Sequence, residues 1–452
     1  MEIGQIAGNL LEPRLRLGVT GLARAGKTVF ITSLVANLLE RGRMLQLQAE
    51  RGKRIEAAFL QPQPDDTIPR FDYETHLADL TGPAPCWPDS TRAISQLRLS
   101  FRLRPQGMIG ALAGPRRMHL DIVDYPGEWL LDLGLMERSF AQWSQIMLER
   151  MRRWPGHEEF AALAHGAEPA KPFDETLAQR FSGAWTALLQ RARKAGFSDC
   201  APGRFLMPGD LEGSPVLGFA PLPDGTGGLH GEFARRFEAY KAKVARPFFR
   251  DHFAKIDRQV VLVDVLGALD SGPAALRDLQ ESLSDVLSAF RPGKAGFLGR
   301  LLGQKRVDRL LFAATKADHL HHSQHDRLSA LLEALLNAPR AAARFKGAEV
   351  ETMALAALRA TTETTLSHQG QDLPCVRGTL IRGDAPVACY PGSLPADPSA
   401  LLAEARESGQ IWQGASFEFS QFAPTALTCR AGEGPPHIRL DRAAEFLIGD
   451  RL

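Results

Sequence analysis

The sequence predicts an α/β fold built on a mainly parallel β-sheet. Three apolar runs, Met118 to Asp124, Gln259 to Leu266 and Val307 to Ala314, are typical of strands buried on both faces. Longer segments between such runs carry apolar residues at helical spacing. Strands that alternate with helices indicate a parallel sheet, because parallel strands are usually joined by helical crossovers.

The first predicted strand leads into a glycine-rich loop. Leu15, Leu17 and Val19 alternate as in a strand, the loop reads GLARAGKT over residues 21–28, and a helix pattern follows from Val29 to Glu40. In this context the pattern G-x-x-x-x-G-K-[ST] predicts a phosphate-binding loop. The glycines let backbone N–H groups surround phosphate oxygens, and the helix N-terminus adds positive potential.

Two side chains of this loop have expected roles in binding and catalysis. Lys27 is expected to reach the β- and γ-phosphates, and the Thr28 hydroxyl to be a ligand of Mg²⁺. The predicted nucleotide contacts in the loop are Gly21, Arg24, Ala25, Gly26, Lys27, Thr28 and Val29.

The strand Met118 to Asp124 continues into a second motif, DYPGE. An acidic residue that leaves a buried strand and is followed by x-x-Gly is the second half of a nucleotide-hydrolase signature. Asp124 is expected to hold Mg²⁺ through a water, and the N–H of Gly127 to contact the γ-phosphate and sense its presence. Together the two motifs predict a Mg²⁺-dependent nucleoside triphosphate hydrolase.

A third motif, Thr315 to Asp318, resembles the [NT]-K-x-D sequence with which Ras-like GTPases recognise guanine. A carboxylate at Asp318 accepts hydrogen bonds from N1–H and from the exocyclic amine of guanine, whereas adenine offers no donor at the first position. Lys316 is expected to lay its stem along the base, and Thr315 stands where Asn is commoner. The predicted ligands are therefore GTP and GDP.

The loop after the last predicted strand is assigned by its order in the chain. It spans Ala356 to Thr361 and follows the strand-like segment Glu349 to Leu355. A backbone N–H of Ala357 or Leu358 is expected near the O6 atom of guanine.

A switch loop is expected at Trp87 to Arg92, just before the next predicted strand. Thr91 is the predicted second hydroxyl ligand of Mg²⁺ and a contact of the γ-phosphate. Thr75 or Thr81 is an alternative for this role, and an ordinary loop threonine is the simpler interpretation of each.

The catalytic group is less well defined by the sequence. Ras-like enzymes that hydrolyse GTP fast usually carry Gln directly after D-x-x-G, and this chain has Glu128 there. A carboxylate can orient water but repels a triphosphate, so slow turnover is expected. Arg24 and Arg92 are candidates for an arginine that contacts the phosphates from the same chain, and a solvated surface charge is the alternative for both.

The remaining segments complete the predicted organisation. The sheet is expected to be mainly parallel, with one antiparallel edge strand at Gln96 to Arg104. The predicted units are 1–134, the first half of the nucleotide-binding domain with an inserted segment at 41–90; 135–255, a mostly helical insertion; 256–370, the second half; and 371–452, a small β-rich unit.

Composition limits the compartment and the partners. The 452 residues carry a net charge of +2, and no nucleic-acid partner is predicted. The first residues of the sequence lack the charged and then apolar pattern of a signal peptide, and no apolar run approaches the ~18 residues that span a bilayer. Five cysteines without a C-x-x-C indicate reduced thiols. We expect a cytoplasmic protein, with peripheral contact at the inner membrane as a further expectation.

Two surfaces are candidate contacts for partners. The arginine face of the strand Gln96 to Arg104 is predicted to meet a protein, and the basic run between Arg291 and Arg309 to touch anionic lipid or to be an exposed loop. His321 and His325 have an i, i+4 spacing that is compatible with a metal, but a solvated loop or helix start is the favoured interpretation.

Longer stretches resemble the YcjX-like family of bacterial stress-associated NTPases. They are Val19 to Leu34, Trp87-Pro88 with Thr91, Asp124 to Trp129 and Ala313 to Asp318. The resemblance runs from about residue 13 to the C-terminus and implies a Ras-like phosphate-loop domain with insertions, often linked with envelope stress. Members have been labelled both ATPase and GTPase, so the preference for guanine rests on Asp318.

The sequence thus predicts a guanine-nucleotide-binding protein that hydrolyses GTP to GDP and phosphate and acts as a regulatory switch linked to stress response. One alternative is an ATPase, in which Thr315 to Asp318 is incidental. Another is a nucleotide-gated scaffold that barely hydrolyses and works by binding a partner or a membrane.

Overall fold

A seven-stranded sheet forms the centre of the fold in a computed structural model that describes residues 12–22, 24–89, 93–105, 115–168, 172–289, 307–344, 348–407, 412, 417–426 and 430–452. The strand order is β2-β3-β4-β1-β5-β6-β7. The strands are β1 (Arg14–Gly21), β2 (Ile55–Gln61), β3 (Ser95–Leu103), β4 (Arg116–Asp124), β5 (Arg258–Val263), β6 (Arg309–Ala314) and β7 (Glu349–Ala354).

The five strands β4, β1, β5, β6 and β7 run parallel. Their register places Val19 beside Asp124, and Ala314 beside both Val263 and Ala354. The carboxyl ends of these strands therefore meet at one edge of the sheet. Every residue of β5 is buried, as expected for a strand covered on both faces. The predicted α/β fold class is confirmed.

The antiparallel strand lies one position further into the sheet than predicted. β3 pairs antiparallel with β4 on one side and with β2 on the other, so β2 occupies the edge. The sequence did not indicate β2, because its side chains are mostly half-buried and do not alternate in polarity. The arginine face of β3 is also smaller than predicted, since Arg98 Nε lies 2.6 Å from the buried Asp121 Oδ1.

Helices cover both faces of the sheet and fill the long connections. They are α1 (Lys27–Glu40), α2 (Gln48–Arg51), α3 (Tyr73–Thr81), α4 (Glu128–Leu131), α5 (Phe140–Arg150), α6 (His157–His165), α7 (Glu175–Lys194), α8 (Gly203–Leu206), α9 (Gly228–Tyr240), α10 (Arg246–Asp251), α11 (Val265–Asp270), α12 (Pro273–Ala289), α13 (His325–Arg344), α14 (Ser399–Arg406) and α15 (Leu440–Ile448). Helices α5 and α7 lie within the segment 135–255, for which the sequence predicts mostly helical structure.

All the elements described between β4 and β5, α4 to α10 with short 3₁₀ and π turns, are helical. Aromatic rings fill the core of this part of the chain. Trp143 stacks on Phe237 with ring centroids 5.2 Å apart and meets Trp185 edge-on at 6.3 Å, and all three side chains are fully buried. These rings belong to one continuous hydrophobic core that also includes Val261 and Phe312 of the central sheet. The proposed unit 135–255 remains a prediction.

A three-stranded antiparallel sheet follows the central one. It consists of β8 (Thr362–His368), β9 (Gln371–Thr379) and β10 (Pro386–Cys389), in the order β10-β9-β8. The chain then returns to the central sheet, where Ile438 bridges Ala356, and α15 packs close to β6. None of the helices in the described part of the chain is long and apolar enough to cross a membrane.

The buried carboxyl group of Asp132 joins the turn after α4 to helices α8 and α9. Asp132 Oδ1 accepts a hydrogen bond of 2.8 Å from Gly203 N, and Asp132 Oδ2 accepts one of 2.5 Å from Tyr240 Oη. Burial raises the pKa of Asp132 from 3.8 to about 7. Between these pH values the folded chain holds this proton and the unfolded chain does not, so the free energy of unfolding falls as pH rises.

We expect Asp132→Asn to reduce this pH dependence. The wild-type free energy of unfolding should include a loss of up to about 1.4 kcal/mol per pH unit between about pH 4 and 7 from this group, and the uncharged amide should lack it. Urea denaturation at several pH values measures the slope. The matched control is Asp210→Asn, since the Asp210 side chain is 87% exposed. Equal slopes for wild type and Asp132→Asn would contradict the assignment.

Candidate functional site

A cavity of about 360 Å³ opens at the carboxyl edge of the parallel strands. The loops after β1, β4, β6 and β7 meet there. All seven predicted contacts of the glycine-rich loop line it, together with Gly127, Glu128, Thr315, Lys316, Asp318, Ala357 and Leu358. The three motifs, which are far apart in the sequence, therefore converge on one cavity.

The glycine-rich loop has the backbone of an anion site. Gly26 stands before the first residue of α1 with φ 76°, a left-handed conformation that favours glycine. Among the described residues no side chain caps the start of α1, and its first turn carries no acidic residue. The N–H groups at this helix end therefore face a region that suits phosphate oxygens.

The lysine of the glycine-rich loop and the acidic residue of the second motif lie side by side. Lys27 Nζ is 2.7 Å from Asp124 Oδ1, and the side chains are 11% and 1% exposed. Thr28 is also buried, at the start of α1. A carboxylate and a hydroxyl supply the hard oxygen ligands that Mg²⁺ prefers, so Thr28 and Asp124 fit the predicted metal.

The D-x-x-G glycine packs directly against the end of β1. A Cβ atom at Gly127 would lie 1.8 Å from the carbonyl oxygen of Gly21, which no other residue type tolerates without displacement. Gly127 also precedes α4, whose first residue is Glu128. Gly127 therefore lies in close contact with the end of β1 and directly before α4.

Glu128 is paired with an arginine that the sequence did not single out. Arg193 Nη2 lies 2.7 Å from Glu128 Oε1, and both residues line the cavity. Arg193 belongs to α7, in the helical segment between β4 and β5. No local motif marks Arg193, because it reaches the cavity through the packing of α7.

The carboxylate of the third motif is buried and held in place. Asp318 is 4% exposed, and its Oδ2 accepts a hydrogen bond of 2.8 Å from Ala360 N. The Thr361 hydroxyl donates to the Asp318 carbonyl oxygen. Burial lowers the pKa of the neighbouring His319, which favours its neutral form. Asp318 is thus fixed at the cavity wall, beside an imidazole that does not compensate its charge.

The other two residues of the third motif are braced by β5 and the segment after it. Thr315 N donates to Val263 O over 3.0 Å, and the Thr315 hydroxyl donates to the same oxygen over 3.4 Å. Lys316 has a left-handed φ of 60°, and its Nζ lies 2.5 Å from Asp264 Oδ2. A threonine therefore supports this loop at the position where asparagine is commoner.

The C-terminal part covers the cavity beside Asp318. Ile381, Gln421 and Phe422 line it, and the Phe422 ring meets His319 edge-on with centroids 5.2 Å apart. Trp87 Nε1 donates to Phe422 O over 2.8 Å. Sequence reasoning missed Ile381, Gln421 and Phe422, since they belong to no nucleotide motif.

Comparison with known proteins identifies the family. The sequence matches the YcjX-like family, DUF463, over residues 15–452. The chain belongs to the YcjX-like family. A protein named Ras-like GTPase YcjX from Escherichia coli (strain K12) is 37% identical over 470 residues, which cover 100% of this chain and 98% of that protein. A protein of the same name from Shewanella oneidensis (strain MR-1) is 36% identical over 471 residues, 98% of this chain and 95% of its own. The resemblance stated from the motifs is confirmed.

Some residues predicted for this YcjX-like chain lie outside the described residues, and two described threonines are not among those that line the cavity. Thr91 and Arg92 lie outside the described residues, as does most of the basic run between 291 and 309. The alternative Thr81 donates its hydroxyl to Leu77 O within α3, and Thr75 lies in the first turn of the same helix. Neither threonine is among the described residues that line the cavity.

The i, i+4 spacing of His321 and His325 does not produce a metal-binding pair in this YcjX-like chain, and the solvated position expected for His325 is not observed. His325 is buried, and its Nε2 lies 2.8 Å from Ala317 O, so this ring supports the third motif instead of pairing with His321. His321 lies with His322 and Glu363, whose ligand atoms are within 4.8 Å of one another. Ser323 N approaches His321 Nδ1 at 3.3 Å as a donor, which leaves the ring proton on Nε2 and disfavours a metal there.

Proposed function

We propose that this chain binds GTP and GDP with Mg²⁺, hydrolyses GTP to GDP and phosphate, and acts as a regulatory switch. One observation carries the proposal: Lys27 and the buried Asp318 line the same cavity. A nucleotide whose phosphates lie at the glycine-rich loop can therefore present its base to the carboxylate. The names of both relatives, Ras-like GTPase YcjX, agree with this.

The preference for guanine follows from hydrogen-bond chemistry. A carboxylate is only an acceptor, and the burial of Asp318 removes water that would satisfy it otherwise. Guanine offers two adjacent donors, whereas adenine leaves the carboxylate partly unpaired, at about 1–3 kcal/mol or more. Backbone N–H groups at Ala357 and Leu358 are the proposed partners of the guanine O6.

The phosphate end is assigned to the first two motifs. Lys27 would bind the β- and γ-phosphates, while Thr28 and Asp124, with the proposed Thr91, would hold Mg²⁺. When bound, Mg²⁺ neutralises charge on the phosphate oxygens. The N–H of Gly127 would contact the γ-phosphate, and Glu128 would orient the attacking water. Arg24 and Arg92 remain proposed phosphate contacts.

A switch function is supported by what surrounds Gly127. Gly127 contacts Gly21 and directly precedes α4, so a γ-phosphate bound at its N–H would act on α4. Trp129 belongs to α4, and the Cζ atom of Arg204, which belongs to α8, lies 3.5 Å from the centre of the Trp129 ring. The Arg204 contact would pass this movement to the helical segment. We propose cytoplasmic action in a stress response, with peripheral membrane contact and a protein partner at the face of the switch segments and β3, the strand that the sequence placed at the edge.

Competition for a fluorescent GDP analogue tests the proposed ligand. Unlabelled GTP and GDP should displace the analogue, and ATP should need at least about a hundredfold higher concentration. Phosphate release from GTP then tests hydrolysis. Equal displacement by ATP and GTP would overturn the guanine assignment and favour an ATPase.

A further inference from the structure

We propose that Arg193 is a catalytic residue, an arginine that the helical segment supplies within the chain to the γ-phosphate of bound GTP. This inference rests on the proposed GTPase function and adds the residue that stabilises charge during hydrolysis. In GTPases an arginine at this point, from the same chain or from a partner, stabilises the charge that develops in the transition state.

The position of Arg193 carries the inference. Its Nη2 is 2.7 Å from Glu128 Oε1, and Glu128 directly follows Gly127, the proposed sensor of the γ-phosphate. Arg193, Gly127 and Lys27 line one cavity. Through its contact with Glu128, the guanidinium therefore lies next to the motif that is proposed to contact the γ-phosphate.

The negative charge of the Glu128 carboxylate favours a cation in this part of the cavity. The Glu128 side chain is 9% exposed, so little water screens its charge from a triphosphate. Arg193 neutralises this carboxylate. Its guanidinium carries five N–H donors in a planar fork that matches phosphate oxygens, and the contact with Glu128 engages Nη2. The same side chain can therefore orient Glu128 and donate to the phosphate.

The helical segment holds Arg193 rigidly. On the same helix Leu188, Leu189 and Ala192 are fully buried. The chain just beyond α7 is held by Asp278, whose Oδ2 accepts hydrogen bonds from Ser198 N and Asp199 N at 2.6 and 2.9 Å. A donor fixed before the reaction stabilises developing charge without reorganisation.

The backbone beside the ion pair is fixed as well. A Cβ atom at Gly203 would lie 2.3 Å from the carbonyl oxygen of Glu128, so the helical segment and the second motif are in close contact. Arg24 also lines the cavity, but it is exposed, whereas the Arg193 side chain is 25% exposed. Among the described arginines of the cavity, Arg193 is the more desolvated and hence the stronger candidate.

Arg193→Ala in the full-length chain tests the inference. We expect single-turnover GTP hydrolysis to slow by about 10²- to 10³-fold, with affinity for the fluorescent GDP analogue changed less than about threefold. Aluminium fluoride with GDP mimics the transferring phosphoryl group, and its added affinity should be lost. Arg193→Lys should hydrolyse GTP at least about tenfold more slowly than wild type, because an ammonium group lacks the planar fork of N–H donors. Arg180→Ala, an exposed arginine on the same helix, is the control and should hydrolyse like wild type.

The double variant Glu128→Gln/Arg193→Ala separates two roles of the arginine. If Arg193 contacts the phosphate, the double variant stays as slow as Arg193→Ala. Recovery to the rate of Glu128→Gln alone would overturn the inference, since Arg193 would then only neutralise Glu128. Unchanged hydrolysis in Arg193→Ala would also overturn it and leave the GTPase proposal intact.

Wild-type behaviour distinguishes failure of the inference from failure of the proposed function. GTP binding without measurable hydrolysis in wild type would overturn the role of Arg193 but not guanine binding. Absence of guanine-nucleotide binding would overturn the proposed function and this inference together. Circular dichroism checks the fold of each variant, and Arg193→Lys gives the readout if the alanine variant does not fold.

Discussion

Lys27→Ala is expected to abolish nucleotide binding while the chain stays folded. The ammonium group of Lys27 lies 2.7 Å from Asp124 and lines the cavity. Each hydrogen bond between charged groups contributes about 1.5–3 kcal/mol, so losing two bonds to phosphate lowers the affinity by about 10²- to 10⁴-fold. Asp124 would then face the triphosphate without its neighbouring cation, which adds to the loss. Titration calorimetry with GDP and GTP in the presence of Mg²⁺ measures the affinity.

The fold should survive because Lys27 is the first residue of α1, so the alanine variant keeps Phe30, Ile31 and Leu34, which bury the helix in the core. A cooperative thermal melt, monitored by circular dichroism, checks this. Lys243→Ala removes an exposed lysine from a helical turn and is the matched control, with wild-type affinity expected. If Lys27→Ala bound GTP within about tenfold of wild type, the phosphate site would lie elsewhere.

The sequence predicted the parts of the site that are formed by short motifs of consecutive residues. The glycine-rich loop, the D-x-x-G turn and Thr315 to Asp318 each follow the end of a buried strand. Parallel strands bring their carboxyl ends to one edge, so three correct strand assignments place Lys27, Gly127 and Asp318 around one cavity. The arrangement could be predicted because it depends on strand direction more than on detailed packing.

The parts that the sequence could not predict depend on packing between distant segments. Arg193 of α7 pairs with Glu128 of α4, which is distant in the sequence, and Phe422 reaches His319 after the chain has formed a second sheet. No spacing pattern records such contacts. β2 was missed for another reason, since an edge strand with half-buried side chains on both faces shows neither alternation nor a continuous apolar run.

Asp318→Asn is expected to change the preferred base from guanine to xanthine. Ala360 N–H donates to Asp318 Oδ2. An asparagine at this position keeps this hydrogen bond only if its amide oxygen occupies the place of Oδ2. Its NH₂ group then replaces the other carboxylate oxygen. This donor repels the exocyclic amine of guanine and matches the carbonyl group that xanthine carries at the same position.

The expected loss of affinity for GDP is about 3 kcal/mol or more, at least about a hundredfold, because two acceptor contacts to the base are affected. XDP should bind the variant more tightly than GDP does. Competition by GDP, XDP and ADP against a labelled xanthine nucleotide measures the ranking. Asp326→Asn changes a carboxylate that is 95% exposed and should leave the wild-type ranking intact.

The Asp318 and Lys27 variants test two separable parts of the site. Lys27→Ala removes affinity for every nucleoside triphosphate, because phosphate is common to all of them. Asp318→Asn retains phosphate binding and changes only the ranking of bases. An Asp318→Asn variant that still preferred GDP over XDP would show that the base does not contact this carboxylate. In that case Lys27 would define a phosphate site whose preferred base is set by other residues.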